Sequence, residues 1–312
     1  MDNELKYAYM VKELNEKCGT NFLYEKYLGS GQDVFCFLVR NENGATFVLK
    51  IPKVNSRLEY FYADYSEKIC DKARSIGSVF VPQSKTYGDN GYIVEEYAGS
   101  EIDFDSLDED EREYFAETMA DFFAKLHKTE TKRVAEDSYY ERKNLTSLRR
   151  GMFKYKKALP LRVLLEIEKA QKYLKSCDNN DEILTTIHGD FRSDNVLFRE
   201  DVGGISLIDW ELAGYKNIYC EFVPNAPASQ NIPFDILYSI IKKYNQKSDL
   251  KIDPEKVRCL MLLGMLNEYM YVAGINKKSF QDFKTLYDEI ISVKLEELES
   301  AFKGDEEVKT NQ

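Results

Sequence analysis

Only two histidines, His127 and His188, occur in the 312 residues, and the six cysteines (Cys18, Cys36, Cys70, Cys177, Cys220, Cys259) are scattered with no Cys-x-x-Cys pair. That argues against a Cys/His zinc site, which draws its ligands from closely spaced thiolates and imidazoles. Scattered thiols suit a reducing compartment, and the expected location is cytoplasmic. A basic excess is also missing: 43 Lys and Arg stand against 54 Asp and Glu, a net charge of −11. A nucleic-acid groove needs a basic stripe, so no nucleic-acid partner is expected. An acidic surface serves solubility and attracts cationic small molecules. The longest apolar run, Cys259–Leu266, is far short of the ~20 residues a membrane span needs. The N-terminal Met1-Asp-Asn-Glu-Leu-Lys lacks the apolar stretch of a signal peptide, so no membrane partner is expected. There is no internal repeat and no long low-complexity linker.

The apolar pattern divides the chain. Residues 2–17 have modest helical periodicity, and Tyr24–Leu28, Val34–Val39, Thr46–Ile51 and Tyr92–Tyr97 read as strands. Gly29-Ser30-Gly31 is a tight turn, Asn41–Gly44 a hairpin turn, and Arg57–Ile76 an internal helix. After Gly99 helices take over: Leu107–Leu126, with Asp108 or Ser106 as N-cap, then Leu161–Leu174, Phe234–Tyr244, Pro254–Ala273 and Ser279–Phe302. The expected class is α+β, with a strand-rich lobe over residues 1–97, a short hinge, and a helical lobe over 98–312. The segment from Lys132 to Asp181 is expected to be an inserted helical pair.

Polar residues are concentrated in one stretch, Ile187–Glu211. Two apolar runs, Val196–Phe198 and Ile205–Ile208, flank the pair Gly203-Gly204 and predict a β-hairpin. A hairpin returns the chain, so Asn195 before it and Asp209 after it come together as an oxygen-rich site suited to Mg²⁺. In His188-Gly189-Asp190-x-x-x-x-Asn195, Asp190 is the candidate acceptor of a hydroxyl proton, and Arg192 the candidate cation for a transferring phosphoryl group. Gly29-Ser30-Gly31 could cover phosphates, because glycine lets backbone N–H groups approach oxyanions; a plain hairpin turn is the simpler reading. Lys50 lies mid-strand between Leu49 and Ile51 and points away from both. It is either a snorkelling edge residue or a charge with a partner, and the next helix supplies Glu67, with Glu59 the lesser choice. Such a pair could hold the lysine against nucleotide phosphates.

This ordered set resembles the protein-kinase-like fold in its aminoglycoside phosphotransferase and choline kinase branch. His188-Gly189-Asp190 and Ile208-Asp209-Trp210-Glu211 are similar to the small-molecule kinase versions of His-Arg-Asp and Asp-Phe-Gly. Phe122–His127 is similar to the Leu-His helix end that precedes the catalytic loop, with His127 structural. The resemblance covers about residues 24 to 225. It implies a two-lobed fold, ATP (or GTP) with Mg²⁺ as cofactors, and Glu95–Tyr97 as the hinge that holds the adenine by its backbone. The chain departs from the branch after Glu211: where Gly-Asp-Pro-x-x-Asp-Leu-Ala is usual, Lys216–Val223 stands, with Glu221 in the place of the Asp.

The resemblance also implies a small-molecule acceptor between the catalytic loop and the C-terminal helices. Glu211, Asp235 and Glu268 are the acidic candidates for a cationic acceptor, with aromatics such as Trp210, Tyr215 and Tyr269 nearby in sequence. The expected activity is phosphorylation of a hydroxyl on an aminoglycoside-like antibiotic; a choline, ethanolamine or sugar kinase is the alternative, and a nucleotide-binding pseudokinase a lesser one. The oligomeric state is left open between monomer and homodimer.

Overall fold

The computed structural model describes residues 3–30, 34–53, 64–87, 92–134, 155–177, 182–224, 227–229, 231–276 and 278–303. Helix α1 (Asn3–Cys18) precedes strands β1 (Leu23–Ser30), β2 (Val34–Arg40) and β3 (Thr46–Pro52). Helix α2 (Asp64–Ile76) leads to β4 (Ser84–Tyr87) and β5 (Tyr92–Glu96). These five strands form one antiparallel sheet in the order β1-β2-β3-β5-β4. The β2–β3 hairpin closes as its sequence predicts: Asn41 Oδ1 accepts hydrogen bonds from the Asn43 and Ala45 backbones, and Gly44 has a φ of 82°. Alternation along the strands places Phe37, Val39, Leu49 and Ile51 on one face, where they bury against Val11 and Leu14 of α1.

The chain then enters β6 (Ser100–Glu101) and α3 (Glu109–Lys128), followed by β7 (Thr131–Val134), α4 (Leu161–Ser176) and β8 (Glu182–Ile187). Next come β9 (Val196–Arg199), β10 (Gly204–Leu207), β11 (Gly214–Asn217) and the single turn α5 (Tyr219–Phe222). The last helices are α6 (Phe234–Lys247), α7 (Pro254–Ile275), α8 (Phe280–Leu286) and α9 (Ser292–Lys303). Asp108 caps α3 through a full capping box with Glu111, which settles the choice between the two candidate caps. Among the described residues no helix is long and apolar enough to cross a membrane.

The expected helix over Ser279–Phe302 is present as a run from Phe280 to Lys303, with a π-helical stretch at Tyr287–Ile291 between α8 and α9. The structure corrects one expectation of the fold. The segment after Lys132 does not open with a helix: residues 131–134 pair with β8, which also pairs with β11. These short strands carry few apolar residues in alternation, so periodicity does not expose them. Residues 135–154 lie outside the described residues. Helix α2 packs away from the first sheet's core. Its Ile69, Cys70 and Ala73 join the large cluster built on Phe122, Phe123, Leu207 and Trp210.

The connection between the five-stranded sheet and the helical part is tight. Gly99 has a φ of 111°, and a Cβ placed there would lie 2.1 Å from the Phe198 carbonyl oxygen. Strand β6 then pairs with β9, and Phe80 bridges β10 through hydrogen bonds to Ile205 and Leu207. Gly99→Ala should therefore lower the unfolding free energy by about 2–3 kcal/mol, read as a shifted midpoint in equilibrium urea denaturation.

Candidate functional site

The predicted hairpin forms as β9 and β10, with Val196 opposite Leu207. The Ile208 N–H donates to the Asn195 carbonyl at 2.9 Å, so Asn195 and Asp209 sit at the open end of one hairpin. The Asn195 amide donates to the Asp190 carbonyl at 2.8 Å and to the Asp190 carboxylate at 3.0 Å. Both bonds use Nδ2, which leaves the Oδ1 oxygen for another partner. Asp209 adopts φ 63° and ψ 61°, and it is the one non-glycine residue with positive φ among those described. A left-handed conformation at an aspartate costs free energy and persists where its surroundings over-determine it.

Asp209 takes part in no hydrogen bond or ion pair among the described residues, although it is largely buried. Burial raises its affinity for a proton, the repulsion of Glu95 and Asp190 adds to this, and Lys50 and His188 oppose it. A buried carboxylate without a hydrogen-bond donor, next to a free amide oxygen, fits a hard divalent cation. No group of three metal-holding His, Cys, Asp or Glu residues occurs among the described residues. Two protein oxygens nonetheless suffice for Mg²⁺, which keeps waters and takes phosphate oxygens for its other positions.

His188 orders this region from beneath. Its Nδ1 lies 3.3 Å from the Asp190 N–H and its Nε2 donates to the Ile208 carbonyl at 2.8 Å. Its ring meets Trp210 edge-on at 4.7 Å. Gly189 has a φ of 85°, and a Cβ there would approach the Leu212 carbonyl to 2.6 Å. Arg192 lies beside the candidate base, with Nε 3.7 Å from Asp190 and a terminal nitrogen 3.1 Å from Asp194. Its Nε is buried without a hydrogen-bond partner.

Glu221 anchors the whole loop. It is fully buried and accepts from the His188 N–H at 2.8 Å, the Gly189 N–H at 3.3 Å and His127 Nε2 at 3.3 Å. His127 Nδ1 is in turn 3.0 Å from the Tyr244 hydroxyl, which accepts from Ser248. Burial favours the neutral acid, but the bond from His127, the charges of His127 and His188, and the His188 N–H outweigh it and hold Glu221 below its ordinary value. His127 is thus held in a buried network, and the residue standing in the place of the Asp reaches two backbone donors of the loop that carries Asp190.

On the other side of the site, Lys50 projects from β3 opposite to Leu49 and Ile51, which are buried. The expected partnership with Glu67 is corrected: Lys50 Nζ lies 2.8 Å from Glu95 Oε2, and Glu67 is exposed on α2. Sequence order favoured the next helix, but the sheet places β5 directly beside β3. Cys36, opposite Lys50 on β2, has a thiol pushed up by burial, with Lys50 opposing. Gly29 and Ser30 close β1, with Gly29 at a φ of 146°; Gly31 lies outside the described residues. Tyr97 follows β5 and is 37% exposed, its hydroxyl 3.4 Å from that of Ser100.

The acidic acceptor candidates are not gathered in one place. Asp235 pairs with Arg112 at 3.2 Å and lines a cavity of ≈ 840 Å³ with Asp105, Lys294 and Glu297. The Glu268 carboxylate accepts from the Ala228 N–H at 2.8 Å and ties α7 to the 3-10 turn Pro227–Ser229 that precedes α6. Glu211 is exposed in the 3-10 turn Trp210–Leu212.

An antiparallel sheet joined through a short connection to a mostly helical part defines the protein-kinase-like class of phosphotransferase. Residues 26–224 match the phosphotransferase enzyme family, and the chain belongs to that family, whose members phosphorylate small molecules. No curated protein sequence matches it. Among solved structures, it is similar to the macrolide 2′-phosphotransferase MphH from Brachybacterium faecium, with a TM-score of 0.63 at 14% identity over 96% of this chain and 99% of that one. It is also similar to APH(2")-IIia in its complex with GDP and kanamycin, with a TM-score of 0.61 at 16% identity over 94% and 98%. The amicoumacin kinase hAmiN, solved with AMP-PNP, Ca²⁺ and Ami, gives a TM-score of 0.54 at 13% identity over 98% and 97%. Identities this low establish a common fold.

Glu221→Gln should cost about 3 kcal/mol near neutral pH, because it leaves buried donors poorly matched. The folded value lies below the ordinary 4.5, so the carboxylate's contribution is present above 4.5 and is lost as pH falls through the folded value. The difference between wild type and variant should therefore shrink on acidification, as measured by urea titrations across that range.

Proposed function

We propose that the protein transfers the γ-phosphoryl group of ATP to a hydroxyl of a small, cationic molecule. The observation that carries this reading is the Asp190–Asn195–Asp209 arrangement: a loop carboxylate bonded to an amide, with a second, donor-free carboxylate beside them across the hairpin. Asn195 Oδ1 and Asp209 are the groups that would hold Mg²⁺, which when bound would supply positive charge to offset that of the phosphates. Lys50 holds the α and β phosphates, and the backbone at Glu95–Tyr97 holds the base.

Asp190 orients the acceptor hydroxyl and takes its proton as the oxygen attacks. Its carboxylate is kept in place by Asn195 and by the His188-bonded backbone. Arg192 is beside it, its Nε 3.7 Å from the Asp190 carboxylate, a position from which the guanidinium charge would favour an equatorial phosphoryl oxygen. Little covalent work falls to the protein in such a transfer; positioning and charge do most of it.

The acceptor we propose first is an aminoglycoside-like antibiotic. Related structures bear the names of aminoglycoside, macrolide and amicoumacin phosphotransferases, and the net charge of −11 favours a cation. Choline, ethanolamine and sugars are the alternative acceptors. Assays of coupled ADP release with an aminoglycoside panel and with these alternatives decide among them. Asp190→Ala should keep MgATP binding and lose turnover by ~10³-fold or more; undiminished turnover would sink the assignment. Asp209→Ala should remove the Mg²⁺ dependence of nucleotide binding in a calorimetric titration, and an unchanged dependence counts against it.

A further inference from the structure

We infer that Lys50 is aligned from within the β-sheet by Glu95, so that the nucleotide site is competent without any inward movement of α2. This rests on the kinase reading of the site and adds how its lysine is held. Strands β3 and β5 are hydrogen-bonded neighbours, with Lys50 opposite Ile93 and Val48 opposite Glu95. Directly opposed residues share a face, and residues two apart along a strand do too, so Lys50 and Glu95 are diagonal neighbours on one face. Their charged atoms meet at 2.8 Å, with side chains 16% and 10% exposed.

Register therefore sets the geometry of this pair. Once the ladder between β3 and β5 has formed, the lysine and its carboxylate are in reach without the ordering of any further element. A partner on α2 would be different, since its distance from Lys50 would follow the position of that helix. Helix α2 is committed elsewhere: Ile69, Cys70 and Ala73 are buried in the cluster that contains Phe122 and Trp210. Its Glu67 is exposed. The Glu95 carboxylate also sits on the strand that runs into the segment proposed to hold the base. One strand thus positions both the lysine for the phosphates and the backbone for the base.

Glu95 is a positioning residue on this account, because it acts through Lys50. A purely structural role for it, neutralising a half-buried lysine, predicts a different pattern. The experiment measures MgATP affinity by calorimetry, and the kcat and KM of acceptor-independent ATP hydrolysis, in Glu95→Gln, Glu95→Asp, Glu67→Gln, Lys50→Met and the Lys50→Met/Glu95→Gln double variant. Thermal melting confirms that each is folded. Glu95→Gln should weaken MgATP binding about ten- to hundredfold, Glu95→Asp should restore part of the loss, and Glu67→Gln should bind as wild type. The double variant should bind no worse than Lys50→Met alone, since the two side chains act as one unit.

The inference is overturned if Glu95→Gln binds MgATP normally while Lys50→Met does not. Additive losses in the double variant, or a loss in Glu67→Gln as large as that in Lys50→Met, overturn it as well. Should Glu95→Gln fail to fold, the surface variant Glu67→Gln still decides whether α2 holds the lysine. The kinase reading itself fails in a separate way, if Lys50→Met and Asp209→Ala both bind MgATP like wild type.

Discussion

A carboxylate with no access to water must be fully paired, and Glu221 is the residue on which this constraint falls. It satisfies the constraint by drawing together three elements distant in sequence. The imidazole at the end of α3 and the two backbone N–H groups at His188 and Gly189 converge on it, and Tyr244 of α6 and Ser248 close the network. The loop that carries Asp190 has little regular structure of its own. Its position derives from this buried charge below and from His188, which bonds forward to Asp190 and across to Ile208. Removing one partner from such a network would leave the others buried without hydrogen bonds, which is why the pieces move, or stay, together.

The fixed loop then meets a fixed hairpin. Strands β9 and β10 hold Asn195 and Asp209 at one end, and Trp210 is pinned by its Nε1–H to the Leu207 carbonyl and by its ring to His188 and Phe122. Asp209, the residue between that anchor and the hairpin, takes up the left-handed backbone conformation. Its buried, donor-free carboxylate is unfavourable by itself and is suited to a bound cation. The sheet contributes the opposing charge through Lys50, and the close approach of Gly99 to Phe198 joins the two halves of the site at a short, sterically defined connection.

Much of this was readable from residue order. The placing of Asn195 and Asp209 at one end of a hairpin was legible because that hairpin is local: two apolar runs and a Gly-Gly pair predict the turn, and the turn predicts the proximity. The five-stranded sheet was largely legible for the same reason, its β1–β2–β3 part being consecutive hairpins with alternating faces. The partner of Lys50 was misread because Glu67 is nearer along the chain than Glu95, and strand order in a sheet is not a property of sequence distance. Strand β4 and the sheet of β7, β8 and β11 were missed because short strands of mixed polarity carry little periodic signal. Glu268 looked available for a cationic acceptor, but it is engaged by the Ala228 backbone, a contact made across elements.

By itself the sequence determined the α+β pattern, the hairpin and the spacing of the polar residues around it. All of these depend on contacts within about twenty residues or on composition. Tertiary structure alone decided which carboxylate pairs with Lys50, how Glu221 secures the loop that carries Asp190, and that α2 belongs to the core beneath Trp210. Those arrangements arise when elements far apart in the chain are brought into one low-dielectric interior, where an unpaired charge is costly and the packing of whole faces selects its partner.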